Sequence, residues 1–180
     1  MVARGTFGGA QPPIMSTNIL SWVAQSIIPV ISVTAFAAAP NTQIIDERTL
    51  IKQQHTVAID TYFKERSMPL AGYGAKMVEE AEENGLDWRL LPAVALRESS
   101  GGKKACDHNP FGWASCRVDF KDTNEAIEVV ARNLGGKNPK TADYYKGDTR
   151  SKLQSYNGTV VPGYPDQVLR IMEKIEKDAD

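Results

Sequence analysis

GLDWRLLPAVALRESSGG, residues 85–102, holds a helix that is apolar on nearly every side and ends in an acid. Leu90, Leu91, Val94, Ala95 and Leu96 leave little polar surface between Trp88 and Glu98, which predicts a helix buried almost all round. Asp87 is placed to cap its start by accepting from free backbone amides. Pro92 fits only near the first turn, where its missing N–H costs little. Gly101-Gly102 closes the element. Glu98 then sits in the last turn, facing the negative end of the backbone dipole. Burial in an apolar setting also disfavours its charged form. A carboxyl kept neutral is what a general acid working near neutral pH requires. Arg97 is no natural partner for it, because adjacent helical residues point in different directions.

Outward from this helix the chain reads as further helices and no convincing strand. Upstream, Leu70, Tyr73, Met77, Val78 and Ala81 recur at helical spacing from Pro69, with Glu79, Glu80, Glu82 and Glu83 expected on the solvent side. Asn84-Gly85 stops that helix. A further helix is expected over about 46–66, with Ile51, Ala58 and Tyr62 on one face; Met68-Pro69 breaks it. Downstream, Asp122 with Glu125 makes a capping-box-like start. Ala126, Ile127, Val130, Ala131 and Leu134 form the stripe of the helix that follows, and Gly135-Gly136 ends it. Residues 137–151 are polar and turn-rich. The last helix, about Tyr164 to Lys177, carries Val168, Ile171, Met172 and Ile175 on one face. The expected fold class is all-α.

The 180 residues suffice for one sizeable domain plus a tail. The net charge of −1 gives no reason to expect nucleic acid, whose binders carry basic patches. Charge is unevenly spread: Gly5 to Ile45 contains no Asp, Glu, Lys, Arg or His. Within that gap, NILSWVAQSIIPVISVTAFAAAP resembles a secretory signal, with an Ala-x-Ala site at Ala37–Ala39. Its apolar run is also about long enough for a membrane anchor, so residues 1–40 read as a leader, either cleaved or tethering. Residues 41–68 then read as an N-terminal helix or linker, and 69–180 as the main domain.

Cys106 and Cys116 bracket a short loop, a sensible place for a disulfide in an oxidising compartment. Closing it would contribute roughly 2–3 kcal/mol in a chain-entropy picture. Two other readings stay open: free buried thiols, or zinc ligation together with His108, although no CxxC pair supports zinc.

Four segments taken in order carry a resemblance: Glu98-Ser99-Ser100-Gly101-Gly102, Asn109-Pro110-Phe111-Gly112-Trp113, the helix NEAIEVVARNL, and Ser155-Tyr156-Asn157-Gly158. Together they resemble the lysozyme-like superfamily, in particular soluble lytic transglycosylases, goose-type lysozymes and bacterial endo-N-acetylglucosaminidase domains. The resemblance spans roughly Pro69 to Ile175. It implies a lysozyme-like helical domain in which the cysteine-bounded loop lies over the catalytic helix.

The same resemblance implies that Glu98 donates a proton to the glycosidic oxygen, with Ser99 beside it. It implies that Tyr156 brings its hydroxyl near the acid, that Asn157 fixes the turn holding it, and that Asn109, Phe111, Gly112 and Trp113 line a sugar groove. The partner implied is the glycan of peptidoglycan, cut at a β-1,4 bond in the cell envelope or outside the cell, with no cofactor and no metal. Phe-Gly-Trp-Ala stands where transglycosylases of this kind typically show Gly-Leu-Met-Gln, which moves the chain towards the glucosaminidase-like branch. Most glycosidases use a second carboxylate. Asp107, Asp119 and Asp122 are the candidates, each with a competing structural role. Without one, the substrate's acetamido group could assist, and hydrolysis and 1,6-anhydro ring formation both stay open. A groove that binds glycan without cutting it is the alternative reading, and a helical interaction scaffold with Glu98 incidental is a third.

Overall fold

A computed structural model describes residues 46–178. The leader expected over residues 1–40 lies outside the described residues. Among the described residues the chain is all helical with no strand, and no helix is long and apolar enough to cross a membrane.

The run that opens the sequence argument becomes α3, Leu90–Ser99, and it is the centre of the fold. Leu90, Leu91, Ala93, Val94 and Ala95 have no exposed surface. Burying side chains of this size stabilises by about 1.5–3 kcal/mol for each Leu or Val. Pro92 is the third residue of the helix, inside the turn whose amides have no intrahelical acceptor. The end is a left-handed cap at Ser100 (φ 54°), with Gly101 N–H donating to Ala95 O and Ser100 N–H to Leu96 O. Asp87 does not cap α3 directly. Its carboxylate accepts from Arg89 N–H (2.9 Å) and grips the Arg89 guanidinium, fixing the turn before the helix.

Around α3 pack α1 (Glu47–Glu65), α2 (Gly74–Glu83), α4 (Thr123–Leu134), the short α5 (Thr149–Leu153) and α6 (Tyr164–Lys177). α6 lies along α3, while α2 touches α1, α3 and α4. α1 is part of the domain rather than a linker to it: Ile59, Tyr62 and Phe63 belong to the same core as α2, α3, α4 and α6. The face expected for α1 is displaced, since Ile51 is exposed and the buried stripe begins at Ile59. Towards the N-terminal end the contact with α2 is polar, as in the Lys52–Glu82 ion pair, and the apolar burial is confined to the C-terminal half.

The second helix starts at Gly74 instead of Pro69. Two tertiary contacts hold the intervening residues out of it. Leu70 N–H donates to Gly101 O (3.3 Å), tying the turn to the end of α3. Asp60 on α1 accepts from Gly72 N–H (2.8 Å) and Gly74 N–H (2.9 Å), capping α2 from another helix. Gly74 is required by this approach, because a Cβ there would stand 2.6 Å from Thr56 O. Glu80, expected outside, is buried. Lys76 pairs with it (2.7 Å) and Asn84 Nδ2 donates to it (3.2 Å), which makes the burial tolerable. At α4 the expected start holds: Asp122 accepts from Glu125 N–H (2.9 Å), and Glu125 reaches back to Lys121 N–H.

Candidate functional site

Glu98 occupies the last turn of α3 and is half-buried, with its Oε1 atom enclosed and without a hydrogen-bond partner. Arg97 turns away from it, donating from Nε to Gln167 Oε1 (2.6 Å) and lying over the Tyr164 ring. Ser99 is buried, and both capacities of its hydroxyl are taken. It donates to Ala95 O (3.0 Å) and accepts from Gly102 N–H (2.9 Å). Ser99 therefore shapes the helix end beside Glu98, and it is among the residues that line the cleft described below.

The loop after α3 folds over the acid. Cys106 and Cys116 are joined by a disulfide, so they offer no thiolate to a metal. Among the described residues no group of three or more His, Cys, Asp or Glu side chains is placed to hold an ion. Asn109 is buried and clamps Trp113 from both sides: Oδ1 accepts from Trp113 N–H (3.0 Å) and Nδ2 donates to Trp113 O (3.0 Å). Gly112 has φ 60°, and a Cβ on it would lie 3.2 Å from Glu98 Oε2. Glycine is thus needed twice, for the left-handed backbone and for closeness to the acid. Phe111 does not line the groove. Its side chain is fully buried in the core, and what it lends to the site is its carbonyl oxygen.

That carbonyl accepts from the Tyr156 hydroxyl (2.7 Å). Tyr156 and Asn157 lie on a single π-helical turn, Gln154–Gly158, that continues α5. Such turns are rare and gather at functional sites. The Asn157 backbone carbonyl accepts from Val160 and Val161 N–H at the end of this turn. The Tyr156 ring stands 5.7 Å from that of Trp113 and stacks on that of Tyr164 at 6.1 Å. Burial pushes the Tyr156 hydroxyl well above the ordinary tyrosine range, and the Glu98 and Tyr145 charges push the same way.

Tyr164, the first residue of α6, is the site neighbour that the sequence did not disclose. It is fully buried, and its hydroxyl, like Glu98 Oε1, has no aligned partner. Burial raises its pKa far beyond the usual range. The Glu98 carboxylate beside it adds to this as acceptor and as negative charge, Tyr156 adds a little, and Arg97 partly offsets them.

These residues surround a cleft of about 700 Å³ lined by Glu98, Asn109, Gly112, Trp113, Tyr156 and Asn157, with the disulfide on its wall. Thr141, Tyr144 and Tyr145 complete it from the polar stretch 137–151, which the sequence presented only as turns. Tyr144 is 68% exposed, an open aromatic face at the rim. Glu98 is the sole carboxylate among the described residues of the lining. Of the other acids considered, Asp122 caps α4, while Asp107 and Asp119 are exposed and outside the lining. The arrangement can therefore offer one carboxyl group, flat aromatic faces and amide groups to a bound molecule. No family model, no curated protein and no solved structure matches the chain.

Proposed function

We propose that the protein cleaves the β-1,4 glycan strands of peptidoglycan, with Glu98 as general acid. One observation carries this reading: a lone carboxyl, one oxygen enclosed, stands at the wall of an aromatic cleft large enough for sugar rings. Trp113, Tyr156 and Tyr144 offer the flat apolar faces that suit the faces of hexoses. Disulfide use fits a role outside the reducing cytoplasm.

With a single acid in the lining, the reading favours assistance from the substrate itself. Glu98 protonates the bridging oxygen, and the acetamido oxygen of the same sugar supports the positive charge developing at C1. Either water or the sugar's own 6-hydroxyl then completes the exchange at C1, giving a hydrolysed end or a 1,6-anhydro end. The absence of a second carboxylate in the lining also favours, less strongly, a groove that holds glycan without cutting it.

The test is digestion of purified peptidoglycan by the wild type and by Glu98→Gln, read by mass spectrometry. Soluble fragments from the wild type and a loss of about 10²–10⁴-fold in the variant, at unchanged helix content, support the assignment. Anhydro products are lighter by the mass of one water. Wall binding with no release by the wild type favours the binding reading, and full activity in Glu98→Gln removes Glu98 from its role.

A further inference from the structure

The cleft contains two formally charged side chains, Glu98 and Lys104. Lys104 is exposed, and its ammonium makes neither a hydrogen bond nor an ion pair with any described residue. Its neighbour Lys103 behaves differently, donating to Arg66 O (2.7 Å) on the far side of the loop. The backbone of Lys104 is fixed: its N–H donates to Ser99 O (2.9 Å), and the next residue is held by Ala105 N–H to Gly102 O. Two residues on, the disulfide joins Cys106 to Cys116 and closes the same loop. A long cationic side chain thus springs from a fixed backbone six positions after Glu98, on a residue that lines the cleft.

Lys104 is the one cationic residue among the described lining residues, and no protein carboxylate holds its ammonium. A cation without a protein partner at a binding cleft favours ligands that carry negative charge. We propose that Lys104 makes the cleft selective for glycan that bears carboxylates, so that the substrate class is an anionic amino-sugar strand and neutral N-acetylglucosamine polymers are poor substrates. This rests on the glycan-cleaving reading above and names its substrate charge.

In peptidoglycan the carboxylate has two sources, the lactyl ether on the sugar and the stem peptide. Three substrates separate them: intact peptidoglycan, strands stripped of peptide by an amidase, and stripped strands whose lactyl carboxylates have been amidated with carbodiimide. Wild type, Lys104→Ala, Lys104→Glu and Lys104→Arg are compared on each, with circular dichroism confirming the fold. The expected result is a KM raised about tenfold in Lys104→Ala and more in Lys104→Glu on the anionic strands, with kcat little changed. Lys104→Arg stays near wild type, and on amidated strands all four enzymes converge. A loss in the variants on intact wall that disappears on stripped strands assigns the contact to the peptide. A loss that persists on stripped strands assigns it to the lactyl group. Equal cleavage of anionic and amidated strands by the wild type, or equal loss in Lys104→Glu on both, overturns the selectivity while leaving Glu98 in place. No cleavage of any strand by the wild type removes the glycan-cleaving reading and the selectivity with it.

Discussion

Glu98 Oε1 and the Tyr164 hydroxyl are the two enclosed side-chain polar atoms without a hydrogen-bond partner among the described residues, and they are neighbours. A buried polar group left unpaired costs about 1–3 kcal/mol, which favours their pairing with each other. Small rotations of either side chain would align them, with the hydroxyl donating to the carboxyl. Oε2, on the Gly112 side, would then be the oxygen that faces a ligand.

Tyr164→Phe removes one member of this pair without changing the shape of the core. The expected outcome is a thermal midpoint equal to or above wild type, because a buried orphan hydroxyl is gone. Glycan cleavage is expected to fall about tenfold, with kcat affected more than KM, since no hydroxyl is left to turn to the carboxyl and orient it when a ligand is bound. Calorimetry and steady-state rates check the two halves separately. A drop in midpoint of several degrees with unchanged kcat would show that the hydroxyl serves the fold alone.

Gly112→Ala tests the second oxygen. The new methyl meets Glu98 Oε2 at 3.2 Å on a backbone with φ 60°. The left-handed conformation alone costs about 1–2 kcal/mol for a residue with a Cβ. The expected outcome is a loss of stability of that size together with at least a tenfold loss of kcat. Its comparison is Gly85→Ala, also at positive φ but with open space around the position, which loses stability and keeps kcat.

What the sequence made legible was the local chemistry. The apolar run of α3, the Asp122–Glu125 start of α4 and the Gly135-Gly136 stop each depend on residues a few positions apart, and each stands as expected. What it hid depends on partners far along the chain. Asp60 capping Gly74 across two helices is invisible to periodicity, so α2 begins later than Pro69. Glu80 looks like a solvent residue until Lys76 and Asn84 are seen to satisfy it. In the site, Asn109, Gly112, Trp113, Tyr156 and Asn157 converge on Glu98 as their motifs suggested. Phe111 turned inward, because the loop has to be anchored before it can present anything. Tyr164 carried no signal, since an aromatic at the start of an amphipathic helix reads as core.

Asp60→Ala checks the interhelical cap. It removes the acceptor of two backbone N–H groups at the start of α2. A lost cap costs about 0.5–2 kcal/mol, and that range is expected in urea unfolding. The cleft residues lie on other elements, so cleavage below the unfolding transition should equal wild type. A large activity loss here would reveal coupling between α2 and the site.

Alkaline pH probes the cluster of tyrosines as a whole. Burial raises the pKa of Tyr145, of Tyr156 and of Tyr164, and around Glu98 the carboxylate pushes the last two higher still. In the unfolded chain the same groups titrate at about pH 10. Above that value the unfolded state releases protons that the folded state retains, so fewer protons are bound unfolded than folded and stability falls as pH rises. The contribution is complete below about pH 10 and drains progressively above it. Thermal midpoints from neutral to strongly alkaline pH should therefore hold level and then drop. Tyrosinate absorbance from these three residues should appear together with unfolding instead of ahead of it. Tyr164→Phe removes one of the groups with a strongly raised pKa and should flatten the alkaline drop. An early absorbance rise in the intact fold, accounting for more than the exposed tyrosines such as Tyr144, would mean that the cluster opens to solvent before the helices separate.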